Sequence, residues 1–158
     1  MPTIEEVSRY IKGNHVQMID LRFVDLFGMW HHVTIPADQV GPALMEEGVA
    51  FDGSSIPGFT SVHAGDLVAL PDFDTMLLDP FWDLSTLGVI CNVAEASTLI
   101  PFANDPRTVS QRAEACLRSL GVADHSLWGP EFEFYIFDRV VYQNDINLAS
   151  YRIDSDEA

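Results

Sequence analysis

The sequence predicts an α+β fold in which strands dominate the first hundred residues. Several short stretches rich in strand formers are separated by turn residues, for example at residues 25–28 and at Pro71-Asp72. Only three segments in the first 120 residues carry helix signals, and they do not alternate regularly with the strands. Strands and helices that are grouped rather than alternating are typical of α+β proteins.

The first elements are expected to be a helix, a β-hairpin and a second helix. Thr3 and Glu6 form a capping box at the start of the first helix. Pro36 ends the hairpin and Gly48 ends the second helix. The expected ranges are residues 4–11, 16–24, 29–35 and 37–47.

Residues 51–56, Phe-Asp-Gly-Ser-Ser-Ile, predict a tight loop that presents one acid and two hydroxyls. Gly53 allows the backbone to take a positive φ, and Asp and Ser side chains bond nearby backbone groups in turns. Taken alone, such turn chemistry is more often structural than functional. The functional interpretation makes Asp52 a base or a cation binder on a loop held by Ser54 and Ser55.

The rest of the chain is expected to contain three short strands, one long helix and a final strand. Their ranges are residues 66–70, 75–79, 87–94, 106–120 and 131–137. Asp105 suits the N-cap of the helix, Pro106 suits its first turn, and Cys116 is expected on its buried apolar face. We place a domain boundary at about residues 100–106. Residues 140–158 stop without a clear helix or strand ending, which suggests a truncated chain or a frayed natural terminus.

The composition argues against several classes of partner and site. The 158 residues include 24 Asp and Glu but only 8 Lys and Arg. The resulting formal net charge of −16 repels nucleic acid and anionic membranes. No segment approaches the roughly 20 apolar residues that span a bilayer. Two isolated cysteines form no disulfide framework, so we expect a reduced, cytoplasmic protein. Neither a glycine-rich phosphate loop nor a nucleophile elbow is present.

A second acidic signature lies at Glu131-Phe132-Glu133-Phe134. On a strand the two glutamates would share one face about 6.6 Å apart, close enough to serve two neighbouring divalent cations. A solvent-facing strand edge with the phenylalanines in the core explains the same alternation and is the more common case.

Six motifs, taken in order, resemble the glutamine synthetase family, and they extend over nearly the whole chain. They are residues 51–56, Pro71-Asp72, Asp79-Pro80-Phe81, Asp105-Pro106-Arg107, Gly129-Pro130-Glu131-x-Glu133-Phe134 and Asp154-Ser155. The likeness is to the amino-terminal part of a type I bacterial or archaeal enzyme. It implies a β-grasp domain at residues 1–103, followed at residues 104–158 by the truncated start of the catalytic α/β domain.

The resemblance implies that ammonia is ligated to glutamate through γ-glutamyl phosphate, with ATP and Mg²⁺ or Mn²⁺, between adjacent subunits of a homo-oligomeric ring. By position, Asp52 resembles the acid that binds ammonium and takes its proton, and Ser55 resembles a residue of the same intersubunit site. Glu131 resembles a ligand of the metal that serves the ATP phosphates. Glu133 resembles a ligand of the metal near glutamate.

Some positions depart from the family pattern. Pro57 and Phe59 stand where many members have glycine and tryptophan, so the loop after the motif is expected to differ in shape. The remaining ligands and the nucleotide pocket are expected after residue 158, so the chain alone is expected to be inactive. Alternatives stay open: a γ-glutamyl-amine ligase of the same family, a short non-catalytic partner that binds full-length subunits, or a remnant without function.

Overall fold

The computed structural model describes residues 2–156. The chain divides into two compact units between His125 and Ser126. The first unit contains three helices, α1 to α3, and six strands, β1 to β6. In chain order they are α1 Ile4–Gly13, β1 Met18–Val24, β2 Trp30–Pro36, α2 Pro42–Glu47, β3 Val49–Asp52, β4 Asp66–Pro71, β5 Leu77–Asp79, β6 Thr86–Glu95 and α3 Pro106–Ser119. Over the described range, no helix has the length and apolar character needed to cross a bilayer.

The six strands form one sheet in the order β2–β1–β6–β4–β3, and β5 pairs with β6. The central strands β1 and β6 run parallel, with Ile19 opposite Leu87 and Leu21 opposite Val89. The other pairs are antiparallel. This register places the apolar residues of both central strands on the same side of the sheet, where helix α1 adds Val7 and Ile11 to a single core.

Several elements confirm the sequence predictions. The capping box of α1 is present, because the Glu6 amide donates to the Thr3 hydroxyl and the Thr3 amide donates to the Glu6 carboxylate. Strands β1 and β2 form the expected hairpin. Its turn is held by the buried Asp25 carboxylate, which accepts the amides of Phe27 and Met29 at 2.8 and 2.9 Å.

The region between β2 and β4 differs from the prediction. Residues 37–47 do not form one helix: a 3-10 turn at Ala37–Gln39 precedes the shorter α2. Pro42 is the cause, because proline lacks an amide proton and disfavours the helical conformation in the residue before it, and Gly41 is extended at φ −157°. Residues 49–52, which carried no strand prediction, form β3 because they pair with β4.

Helix α3 begins at the predicted N-cap, but its expected buried face is largely exposed. The Asp105 carboxylate accepts the amides of Arg107 and Thr108 at 3.1 and 3.2 Å. Thr108 is the buried residue of the helix. The prediction that Cys116 is a core residue is wrong, since the thiol is exposed and no described segment covers that face.

The second unit also departs from the prediction. Residues 131–137 form no strand, because no described strand pairs with them. A hairpin forms instead in the region with no predicted element, from β7 at Arg139–Asp145 and β8 at Leu148–Asp154. The domain boundary near residue 104 stays a prediction.

Candidate functional site

Asp52 lies at the end of β3, where the sheet gives way to the loop that the sequence singled out. It pairs in register with Asp66 of β4, and it caps a 3-10 turn at Gly53–Ser55. The Gly53 amide donates to the Gly65 carbonyl at 2.7 Å. This bond closes the base of the loop, so the exposed Asp52 side chain extends from a fixed backbone position.

Both serines of the motif donate hydrogen bonds to the Asp52 carboxylate. Ser54 donates to Oδ1 twice, from its hydroxyl at 2.6 Å and from its amide at 2.9 Å. The Ser55 hydroxyl donates to Oδ2 at 3.2 Å. These bonds favour the charged form, and those from Ser54 contribute most to holding the pKa of Asp52 below its usual value. The loop therefore presents an ionised, oriented carboxylate at neutral pH.

Gly53 is required in this loop for a different reason from the one expected. Its φ is not positive, so the loop does not use the left-handed conformation that glycine allows. Instead, a Cβ atom at this buried position would lie 2.4 Å from Cδ1 of Leu67. The side chain of the neighbouring strand β4 fills the space that any other residue would need.

The loop beyond the motif is anchored in the core by Phe59, which is 4% exposed. Its ring centroid lies 6.2 Å from that of Phe23 and 5.3 Å from that of Phe102. The Asn104 side-chain amide donates to the Phe59 carbonyl at 3.1 Å. Sequence reasoning noted Phe59 only as a departure from the family pattern, and an aromatic residue inside a polar loop was the signal for its anchoring role.

Glu131 and Glu133 belong to the second unit, where both are exposed in a segment without regular secondary structure. The argument that placed them 6.6 Å apart on one strand face is therefore wrong for this structure. Carboxylates are the correct donors for Mg²⁺ or Mn²⁺. Within residues 2–156, however, no group of three or more His, Cys, Asp and Glu could hold a metal ion. The two glutamates fit such an ion as part of a ligand set.

A second polar cluster, missed by sequence reasoning, lies on the opposite face of the central strands from the core. Arg22 bonds to Asp20 and Asp79, and Asp20 also accepts bonds from His32 and Thr34. Burial raises the pKa of Asp20, but the bonds from these partners outweigh that effect and hold it below its usual value. The alternation of charged and apolar residues in β1 was the available signal.

This cluster has a structural explanation. Asp20 and Arg22 lie on β1, His32 and Thr34 on β2, and Asp79 on β5, so the ion pairs and hydrogen bonds tie three strands together. The Arg22 guanidinium group occupies the space over β6 that Gly88 leaves open. A cleft of about 490 Å³ borders the cluster, with Trp30 and Trp82 in its walls.

Comparison with protein-family models gives two matches. A model of the glutamine synthetase β-grasp domain matches residues 15–96. A model of the glutamine synthetase catalytic domain matches residues 103–158. The two matches together extend over most of the chain.

Curated relatives and solved structures agree with these matches. Glutamine synthetases of Methylococcus capsulatus and Escherichia coli K12 are 42% and 43% identical over 99% and 97% of this chain, and 33% of each relative is covered. The chain thus spans about a third of their length. A cryo-EM structure of Plasmodium falciparum glutamine synthetase, 21% identical, shares the fold with a TM-score of 0.73 over 98% of this chain and 30% of that one.

Proposed function

The chain belongs to the glutamine synthetase family, and from this premise we propose that it supplies the ammonium-binding part of an ATP-dependent glutamate–ammonia ligase. The observation that supports the proposal is the Asp52 carboxylate, which is exposed, ionised and oriented by Ser54 and Ser55. Ammonium needs an anion to bind it and a base to take its proton. One carboxylate on a fixed loop can serve both purposes.

In the proposed reaction the γ-carboxylate of glutamate takes the terminal phosphoryl group of ATP, ADP leaves, and γ-glutamyl phosphate forms. Asp52 holds ammonium beside this acyl phosphate and accepts one proton from it. The ammonia that remains attacks the acyl carbon, and a C–N bond forms as the C–O bond to the phosphate breaks. The departing phosphate takes the second proton from the new amide nitrogen. Ser55, which bonds weakly to the same carboxylate, would adjust the position of the bound ammonium.

Glu131 and Glu133 would each supply a carboxylate to Mg²⁺ or Mn²⁺. When bound, these ions neutralise charge on the transferred phosphoryl group. The chain's described residues hold too few metal ligands for this by themselves, so we expect no ligase activity from the isolated chain. In the proposed enzyme the Asp52 loop acts in the site of an adjacent subunit of a cytoplasmic ring assembly.

A chimera tests this proposal. In it, the chain replaces the matching third of the Escherichia coli enzyme, to which it is 43% identical. We expect glutamine formation from glutamate, ammonium and ATP, and a loss of kcat of about 10²-fold or more for Asp52→Asn, the usual contribution of a general base. ATP binding should change little. Asp38→Asn, at an exposed carboxylate in the same sheet unit, is the matched control. An unchanged kcat for Asp52→Asn would remove Asp52 from the base role.

The same chimera distinguishes the amine that the enzyme accepts. If the chain came from a γ-glutamyl-amine ligase, a primary alkylamine should replace ammonium with a higher kcat/KM. We expect ammonium to be preferred, because the Asp52 carboxylate offers hydrogen-bond acceptors to a small cation. A preference for the alkylamine would assign the alternative substrate.

The exposed apolar side chains of the second unit favour one further candidate function. Trp128, Phe132 and Tyr135 are 84%, 87% and 86% exposed. Exposed groups of this size commonly mark interaction surfaces, so the chain could bind full-length subunits without catalysis. Co-purification of the tagged chain with the Escherichia coli enzyme, and a changed oligomer size, would support this function. A chain that remains separate would exclude it.

A further inference from the structure

The two oxygens of the Asp52 carboxylate are not equivalent. Oδ1 accepts two bonds from Ser54, at 2.6 and 2.9 Å. It also lies against Gly65, where a Cβ atom would approach it to 2.7 Å. Oδ2 accepts a single bond of 3.2 Å from Ser55, which is near the limit of a hydrogen bond. Oδ1 is thus held by the loop, whereas Oδ2 is bonded weakly enough to accept a hydrogen bond from a ligand.

We propose that Ser54 is the positioning residue of this site, which holds Oδ1 so that Oδ2 is the atom that meets ammonium. This inference rests on the proposed function of Asp52. Ser54 does not touch the substrate in this arrangement. Its amide and hydroxyl fix the carboxylate in one rotamer, and the weak bond from Ser55 can be exchanged for a bond from ammonium without loss of the loop.

Position in the fold explains why Ser54 can serve this purpose while Ser55 cannot. Ser54 follows Asp52 by two residues, the spacing at which an aspartate accepts a backbone amide in an Asx turn. Its hydroxyl and amide therefore reach the same oxygen from one residue. Ser55 is more exposed than Ser54 and offers the carboxylate its hydroxyl only. Bonds to the charged form lower the pKa, and those from Ser54 are the largest contributions at Asp52.

The first test uses this chain and does not depend on activity. The Asp52 carboxyl carbon is titrated by NMR in the wild type and in Ser54→Ala, Ser54→Thr, Ser55→Ala and Ser61→Ala. We expect Ser54→Ala to raise the midpoint more than Ser55→Ala does, and Ser54→Thr to restore it because the hydroxyl is kept. Ser61, an exposed serine of the same loop that does not cap its own 3-10 turn, is the control.

The second test uses the chimera. Ser54→Ala should raise KM for ammonium by about tenfold or more, the effect of one lost hydrogen bond to a charged group, and leave KM for ATP unchanged. Ser54→Thr should behave as the wild type. Backbone-amide NMR spectra of each variant of the chain itself check that the loop keeps its fold.

The outcomes separate the two proposals. An unchanged midpoint in Ser54→Ala overturns the positioning role even if Asp52→Asn abolishes turnover. A shifted midpoint with an unchanged KM for ammonium also overturns it, since the bonds would then serve only the loop. An unchanged turnover in Asp52→Asn overturns the proposed function, whatever the midpoints are.

Discussion

The two units of this chain both contain paired strands, but only one of them buries its side chains. In the first unit, the central strands β1 and β6 place Ile19, Leu21, Leu87 and Val89 at 0% exposure. In the second unit, every residue of β7 is exposed, and β8 has only Asp154 partly buried. Pairing satisfies the backbone, whereas stability comes from apolar surface removed from water. A two-stranded hairpin without cover is marginally stable at best.

Hydrogen exchange should show the largest difference between the units. We expect amides at the centres of β1 and β6 to exchange at least about 10³-fold more slowly than those of β7 and β8, because the former open only with the whole core. NMR detection in deuterated buffer at neutral pH measures both sets in one sample. Equal protection in the two units would show that the hairpin has a stabilising contact that its exposure does not reveal.

A matched pair of leucine substitutions tests the same comparison energetically. Leu21→Ala should cost about 2–5 kcal/mol of unfolding free energy, since it leaves a cavity in the core. Leu148→Ala, at a leucine that is 49% exposed, should cost no more than about 0.5 kcal/mol. Urea denaturation followed by tryptophan fluorescence and circular dichroism gives both values. Similar costs at the two sites would contradict the assignment of the core to the first unit.

Helix α3 is bonded to the sheet of the first unit through its first turn, whereas its outer face is exposed. A substitution in that turn therefore tests whether the helix is held by the first unit. Asp105 is 1% exposed, and besides capping the helix it accepts the Val93 amide of β6 at 3.3 Å. We expect Asp105→Ala to cost about 1–3 kcal/mol, since it removes a cap and leaves buried donors unpaired. Asp124→Ala, whose side chain is 91% exposed, is the control. An equal loss in both variants would mean that α3 is not held through its first turn.

Acid should destabilise the first unit by protonating its hydrogen-bonded carboxylates. The hydrogen bond from His31 is the main cause of the lowered pKa of Asp25. The hydrogen bond from Arg22 is the main cause of the lowered pKa of Asp79. Because these values are lower in the folded state, the stability they contribute is present above the ordinary pKa of about 3.9 and is lost as the pH falls through the folded values.

A substitution at Asp25 measures this contribution. Asp25→Asn should lower the urea midpoint at pH 7 and reduce its fall between pH 5 and pH 2.5, because one titrating group has been removed. Asp38→Asn, at an exposed carboxylate, is the control. Parallel midpoint curves for the wild type and Asp25→Asn would exclude the carboxylate as a source of acid sensitivity.

Local signals in the sequence were sufficient where one short segment satisfies its own polar groups. The capping box of α1 and the Asp105 cap were predictable because each donor and acceptor lie within three residues of each other. The β1–β2 hairpin was predictable because both strands are rich in strand formers and a short turn joins them. Prediction failed where pairing with another strand, and not the local residue pattern, decides the structure. The four residues of β3 became a strand only because β4 pairs with them, and the alternation at Glu131 and Glu133 produced no strand because none does.

The candidate site divides in the same way. The sequence alone identified the family, the Asp52 loop and the two serines that bond to it, since motif order and short-range turn chemistry are properties of the chain itself. Only the tertiary structure decided that Gly53 is needed for the approach of Leu67 and that Phe59 anchors the loop. It also decided that Oδ1 of Asp52 accepts two bonds from Ser54, whereas Oδ2 accepts one longer bond from Ser55. Packing and hydrogen-bond geometry depend on residues far apart in the sequence, and only the folded chain brings them together.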